Sequence, residues 1–250
     1  EICEALNMSD ELQEYWGIKT ALSRYMHDYK QALKDCSERQ KICKQYGYTN
    51  ELISCYLDWV GILQENKKNE KLSYVEITRL FTTASEEALK INNVYRQQQV
   101  RLSYLKTLIN LTELEVAKKE LDVYLETARN RNNTREIALG MLLQMNIYRK
   151  NEQYKEALNA CDEHYEYCLE TNQRLSSFFS LKEKVEILIS IGEMIQAREL
   201  MQQCLERLPE IKHNKTVTRV LKIAADIARY FGETEETKQH LVRMKEIAEA

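Results

Sequence analysis

Small and apolar residues recur along almost the whole chain at positions that share one face of a helix, and the pattern repeats every 40 residues. Ala117, Ala157 and Ala197 mark the same position in three successive repeats. The same position falls at Ala32, Ile77 and Thr237 in the other three repeats. Four and eleven residues after each mark the chain again places mostly apolar residues, at 36, 81, 121, 161, 201 and 241 and at 43, 88, 128, 168, 208 and 248. These offsets predict one buried helical stripe per repeat.

Each repeat reads as two helices joined by a short polar turn. The second helix begins just before the marked position. Gly192 and Gly232 stand five residues before it, where a preceding helix would end in a left-handed turn. Thr112 and Asn133 are each followed three residues later by Glu, which is the form of an N-terminal capping box. The predicted first helices are Asp10–His27, Asn50–Gln64, Val94–Asn110, Thr134–Arg149, Leu175–Ser190 and Thr216–Phe231.

Composition agrees with a helical protein. The 250 residues include one proline and six glycines, too few for many tight strand turns. Helical hairpins that cannot bury their apolar faces alone stack on their neighbours. We therefore predict an all-α fold, a right-handed α-solenoid of about six antiparallel hairpins, forming a single domain over residues 1–250 that belongs to a longer protein. Five extra residues between the first two repeats predict a polar loop at Glu65–Lys71.

Charge and cysteine usage indicate which partners and which cellular compartment to expect. The net charge is −3, and no dense basic stripe offers phosphate neutralisation, so nucleic-acid binding by this segment is not expected. No apolar run approaches the roughly 20 residues that cross a bilayer. Seven scattered cysteines do not resemble a secreted disulfide scaffold. We predict reduced thiols, a cytoplasmic protein and no membrane partner.

One group of residues could hold a metal. Cys161, His164 and Cys168 share a helical face, and thiol and imidazole are zinc ligands. Both cysteines also fall on the predicted core stripe, where a buried thiol acts as a small apolar side chain, and this second interpretation is favoured. No nucleotide-binding or metalloprotease motif occurs. We expect no cofactor, no metal and no catalytic residue.

The repeats resemble the tetratricopeptide family. Asp28-Tyr29-Lys-Gln-Ala32 and Tyr154-Lys-Glu-Ala157 match its second-helix opening, Trp16 takes its first-helix aromatic position, and Gly192 and Gly232 match its turn. The period is 40 residues instead of 34, and the usual closing proline occurs only at Pro209. Long units of this kind are similar to those of bacterial regulators, including quorum-sensing peptide receptors of the Rap/PlcR type and MalT-like sensor domains.

The resemblance implies a groove lined by the first helices. The family's groove offsets fall on residues that suit an extended peptide, whose backbone amides and carboxylates they would bind. The other interpretation is an ordinary solvated helix surface. The predicted ligand-binding residues are Lys106, Asn110, Asn146, Arg149, Lys182, Glu186, Arg219, Lys222, Asp226 and Arg229.

Function is expected to be binding. The leading hypothesis is the sensor or regulatory part of a signalling or transcription regulator that binds a peptide or protein partner. The alternative is a passive scaffold or dimerisation adaptor, with a homodimer as its assembly, and an enzyme is a third hypothesis without a supporting motif. Chaperone-binding relatives use a Lys/Asn carboxylate clamp; here Lys182 is followed by Glu186 and Asn146 is preceded by Leu142, so that role is not expected.

Overall fold

The computed structural model describes residues 8–66 and 74–249, and within these ranges all regular structure is helical. Most helices have 17 residues and are separated by three-residue turns. The first-helix bounds predicted above agree with the structure to within two residues. The twelve helices are α1 (Ser9–Tyr25), α2 (Tyr29–Tyr46), α3 (Thr49–Glu65), α4 (Tyr74–Lys90), α5 (Val94–Asn110), α6 (Leu114–Asn130), α7 (Thr134–Lys150), α8 (Tyr154–Glu170), α9 (Arg174–Ser190), α10 (Met194–Arg207), α11 (Asn214–Tyr230) and α12 (Thr234–Glu249).

The chain divides into two compact units. Unit 1 is Glu1–Leu111 and contains α1 to α5; unit 2 is Thr112–Ala250 and contains α6 to α12. Within each unit every helix packs on the next one in the sequence, which is the stacking of successive hairpins expected from the repeat. A single domain over residues 1–250 stays a prediction. The predicted loop at Glu65–Lys71 lies mostly outside the described residues.

Turns between helices share a left-handed residue at the same repeat position. Gly192 and Gly232 have φ of 84° and 76°, as the sequence predicts. Thr112 and Glu152 occupy the equivalent position in their repeats with φ of 62° and 58°, so a non-glycine residue takes the left-handed conformation there. The cost of that conformation is on the order of 1 kcal/mol, which the packed helices on either side can absorb. The prediction of a capping box at Thr112 is wrong, because this residue lies in the left-handed turn and Glu113 is the N-cap. The box at Asn133 is partly confirmed, since its side chain accepts a hydrogen bond from the Glu136 amide at 3.2 Å.

The marked positions form the core. All six are buried, as are the first five residues of each accompanying stripe. In α12 the stripe fails: Leu241 is 43% exposed and Ala248 is also exposed. Their burial was predicted from the repeat, and that prediction is wrong because no described helix packs on this side of α12. No helix in the described ranges is both long and apolar enough to span a bilayer.

Candidate functional site

The first helices of unit 2 bring charged side chains from three repeats into one network. Glu186 of α9 is its centre. Arg149 of α7 donates to Glu186 Oε2 from Nη1 at 2.9 Å, Lys182 Nζ lies 3.0 Å from Oε1, and Arg219 Nη2 of α11 lies 2.9 Å from both oxygens. Glu183 accepts a second bond from Lys182 Nζ at 2.6 Å. The three helices are thus bridged by a single carboxylate.

Burial makes this network different from a surface ion pair. The side chains of Lys182 and Glu186 are only 6% and 11% exposed, whereas that of Arg219 is 56% exposed. Burial opposes ionisation of Glu186, but Lys182, Arg219 and Arg149 outweigh it and lower the pKa of this carboxyl. Removing one partner of such a buried group leaves the others unpaired, which costs several-fold more than breaking an exposed pair.

A cavity of about 770 Å³ lies along α7 and α9, the helices that carry Arg149 and Glu186. Leu139 and Leu142 of α7 and Phe179 of α9 line it, and all three stand at groove offsets one or two turns before the network residues. Asn146 connects the two regions: its amide donates to the Leu142 carbonyl at 3.1 Å, and its Oδ1 accepts from Arg149 at 3.1 Å. A recess with a mostly apolar surface, which Arg135 and Arg174 also line, therefore lies one or two helical turns before the charged patch.

His164 of α8 lines this cavity and is 1% exposed. Its Nδ1 is 2.6 Å from Ser180 Oγ, and its Nε2 is 3.3 Å from Cys168 Sγ. Burial lowers the pKa of His164 to about 4 and raises the pKa of Cys168 to about 11. At neutral pH this group holds a neutral imidazole and an un-ionised thiol, so Cys168 is a poor nucleophile.

Metal binding by these residues gains no support. Among the described residues no group of three or more His, Cys, Asp or Glu side chains is arranged to hold a metal ion. Cys161 and Cys168 are buried in the core positions that the repeat predicts, and burial raises the pKa of Cys161 to about 12. Packing accounts for both thiols.

The remaining predicted ligand residues are more exposed. Lys222, Asp226 and Arg229 continue the face of Arg219 along α11, and Arg229 pairs with Asp226 at 3.0 Å. Lys106 and Asn110 are exposed residues of α5 in unit 1. The structure thus joins five of the ten predicted residues (Asn146, Arg149, Lys182, Glu186 and Arg219) in one network. We call the surface formed by Leu139, Leu142, Asn146, Arg149, Phe179, Lys182, Glu186, Arg219, Lys222, Asp226 and Arg229 the first-helix face of unit 2.

Sequence reasoning missed two features of this region, the residue Glu183 and the contact between His164 and Ser180. Glu183 follows Lys182 directly and so falls off the groove offsets, yet it is buried against Lys182. The contact between His164 and Ser180 joins α8 to α9 across 16 residues. Its only sequence signal is a polar residue among the apolar positions of each helix.

Unit 1 holds a larger open cleft, of about 1360 Å³, between α1 and α3. Arg24 bridges it with two bonds of 2.7 Å to Glu65. Its guanidinium lies over Gly61, where a Cβ atom would stand 2.9 Å from Arg24 Nη2. The glycine thus makes room for the bridge. None of the predicted ligand residues lines this cleft.

Comparison with known proteins identifies the fold. No family model matches the chain, and no curated protein matches its sequence. Among solved structures it is similar to the apo form of RapI, with a TM-score of 0.63, 16% identity, and coverage of 96% of this chain and 84% of that one. It is also similar to the crystal structure of BtubC (BKLC) from P. vanneervenii, with a TM-score of 0.63, 10% identity, and coverage of 91% of both chains.

A third similar structure is a Rap protein complexed with competence and sporulation factor. Its TM-score is 0.63 at 13% identity, with coverage of 97% of this chain and 65% of that one. At sequence identities this low, the structural similarity is evidence for the fold alone. The helices, their order and these likenesses together show that the chain has the all-helical, tetratricopeptide-like fold of the Rap proteins.

Proposed function

We propose that this chain is a peptide- or protein-binding module that acts as the sensor or regulatory part of a signalling or transcription regulator. One observation carries the proposal: residues chosen by groove offset on three separate helices converge on one network beside an apolar cavity. Ligand sites commonly combine an apolar recess with a few placed polar groups. The Rap structure that holds competence and sporulation factor supports a binding role for this fold.

The arrangement suggests how binding could be transmitted. In stacked hairpins each repeat contacts mainly its neighbours, so a ligand that touches α7, α9 and α11 together favours one spacing of these helices over others. Glu186 already joins the three helices in the free protein. A ligand that redistributes those ion pairs would change the relative position of the hairpins and signal to an attached effector.

The proposed setting is the cytoplasm, and the proposed role is not enzymatic. The six described cysteines are free and buried, which agrees with a reducing environment. At neutral pH the buried His164 is a neutral imidazole and Cys168 is an un-ionised thiol, which suits packing better than catalysis.

Affinity selection tests the proposal. A pool of random short peptides is incubated with the purified chain, and bound peptides are recovered and counted by mass spectrometry. Leu142→Glu places a charge at the cavity and is expected to abolish enrichment. Leu169→Glu is the matched control, because Leu169 is an exposed residue of the second helix α8. Absence of enrichment with the wild-type chain, or equal loss in both variants, refutes the proposed site.

A second candidate, a homodimeric scaffold, is favoured by α1. This helix exposes four large apolar side chains at spacings of three and four residues, and its C-cap exposes a fifth. Contiguous exposed apolar patches commonly mark interfaces. The five side chains are Tyr15, Ile18, Leu22, Tyr25 and Met26. Light scattering on the wild-type chain and on Ile18→Glu tests this candidate. A dimer that the substitution dissociates supports the scaffold. A wild-type chain that is monomeric at 100 μM, about a hundred times the Kd of an interface worth about 8 kcal/mol, refutes it.

A further inference from the structure

We propose that the cleft between α1 and α3 in unit 1 binds an arginine side chain of a partner protein, in the place that Arg24 now occupies. Arg24 is then an internal competitor, which leaves Glu65 when the guanidinium of the partner arrives. The site lies in unit 1 and shares no residue with the first-helix face of unit 2. This inference therefore does not rest on the proposed function.

The guanidinium of Arg24 lies in a place that fits its shape. Its Nε and its Nη2 each bond one oxygen of Glu65 at 2.7 Å, the paired geometry in which carboxylates recognise arginine. On Gly61 a Cβ atom would stand 2.9 Å from Nη2 and 3.2 Å from Cζ of Arg24, so the planar group lies directly against the bare backbone. We call Glu65, Gly61 and the space between them the guanidinium seat.

The guanidinium seat explains the glycine at position 61. This residue is in the interior of α3, where alanine is favoured because glycine loses more backbone freedom on folding. The three atoms nearest to a Cβ at this position all belong to the guanidinium of Arg24. The same arrangement recurs at Gly17 of α1, which lines the cleft and lies 3.1–3.5 Å, from its Cβ position, to the guanidinium of Arg39. Glycine thus makes room for a planar cation at two places around this cleft.

The cleft also attracts positive charge. Three carboxylates and two cations line it: Asp28, Asp58, Glu65, Arg24 and Lys30. Asp58 accepts one hydrogen bond, at its Oδ2 from Arg39 Nη1 at 3.3 Å, and its Oδ1 accepts none from a described residue. Burial raises the pKa of Asp58 although Arg39 and Arg24 act in the other direction, so the cations present do not offset its desolvation. A further cation near Asp58 is favoured, and the exposed ring of Tyr25 at the cleft can stack on a guanidinium.

Displacement of the internal pair costs little. The side chains of Arg24 and Glu65 are 33% and 45% exposed, and ion pairs this exposed are only slightly more stable than the separated, hydrated groups. An incoming arginine offers Glu65 the same two bonds that it loses. The cleft, of about 1360 Å³, has room for the side chain. Lysine fits less well, because its ammonium is a point charge that cannot make the paired bonds.

NMR titration of the whole 250-residue chain with acetyl-L-argininamide tests the inference. The backbone amide signal of Gly61 reports the guanidinium seat, and the amide signals of Gly192 and Gly232, which belong to unit 2, are the internal control. We expect the Gly61 signal to shift with argininamide and to stay in place with the corresponding amide of citrulline, which has nearly the same shape and no charge. Acetyl-lysinamide should bind about fivefold more weakly than argininamide.

Variants assign the effect to residues. Arg24→Ala removes the internal competitor and is expected to bind argininamide about fivefold more tightly than the wild type, the factor for an exposed ion pair worth about 1 kcal/mol. Arg24→Gln carries the same expectation should the alanine variant fail to fold. Glu65→Gln keeps the size of the side chain, removes its charge and should weaken binding about tenfold. Arg79→Ala, at an exposed arginine of α4 in the same unit, removes the same charge as Arg24→Ala and should leave the affinity unchanged.

Tighter binding after loss of Arg24, together with weaker binding after loss of the Glu65 charge, supports the proposal. Equal shifts with the citrulline amide overturn it, since the cleft then does not recognise the cation. Equal tightening by Arg24→Ala and Arg79→Ala also overturns it, because the effect is then one of overall charge. A Gly61 signal that shifts only in the Arg24 variants, or in no variant, means that the wild-type seat is closed to a ligand and overturns it as well.

Discussion

Lowering the pH from 7 to 5 should destabilise unit 2 through His164. This histidine is 1% exposed, and both ring nitrogens have neutral neighbours, Ser180 and Cys168. The backbone of Ala138 favours the charged ring, but burial outweighs it. Burial lowers its pKa from 6.5 to about 4. Protonation of the native state is therefore postponed to a pH at which the unfolded chain is already charged.

The magnitude follows from that difference. Between pH 6.5 and pH 4 the unfolded state binds the proton and the native state does not, so stability falls as the pH falls. The contribution is fully present above pH 6.5 and is lost progressively towards pH 4. Each pKa unit corresponds to about 1.4 kcal/mol, which gives about 2 kcal/mol between pH 7 and pH 5 for this one residue.

Urea unfolding at pH 7, 6 and 5 measures this effect. Both tryptophans, Trp16 and Trp59, lie in unit 1, so their fluorescence reports unit 1 while circular dichroism reports all helices. His164→Gln should lose stability at pH 7 but should reduce the pH dependence by about 2 kcal/mol. His213→Gln, at an exposed histidine of the same unit, should leave the pH dependence as in the wild type. Equal pH dependence of the wild type and His164→Gln would refute the reasoning.

Three further experiments test the packing. Gly140→Ala should lower the melting temperature, because the new methyl group would overlap the side chain of Leu125. Overpacking costs about 1–3 kcal/mol, whereas alanine gains about 1 kcal/mol in helix propensity. An unchanged or higher melting temperature would contradict this prediction. Leu121→Ala should cost about 2–5 kcal/mol in urea unfolding, whereas Leu241→Ala at the same repeat position should cost under about 0.5 kcal/mol; equal costs would mean that α12 is covered. Glu186→Gln should cost about 2 kcal/mol or more by leaving buried Lys182 with Glu183 alone, and a neutral result in the same assay would show that the network is dispensable.

The repeat made much of the architecture predictable. Helix bounds follow from the spacing of Ala117, Ala157 and Ala197 because each stands on a stripe that must be buried wherever a neighbouring hairpin packs on it. Gly192 and Gly232 marked turns because a left-handed backbone favours glycine. The capping-box prediction at Thr112 was wrong because the neighbouring helices impose the left-handed turn on a residue whose local preference is an N-cap position.

The candidate site was predictable only in part. Groove offsets selected Arg149, Glu186 and Arg219 one helix at a time, because the resemblance fixes where a residue stands on its own helix. They gave no indication that the three meet at one carboxylate, or that Glu183 joins them, since such contacts depend on the distances between helices.

Sequence alone determined the helices, their order and the side of each that is buried, because these depend on periodicity within about 20 residues of chain. Tertiary structure decided which predicted core positions stay exposed, as at Leu241, and which charges share a partner, as at Glu186. Burial and pairing are properties of neighbours brought together from distant parts of the chain, and a repeat pattern does not state where its neighbours end.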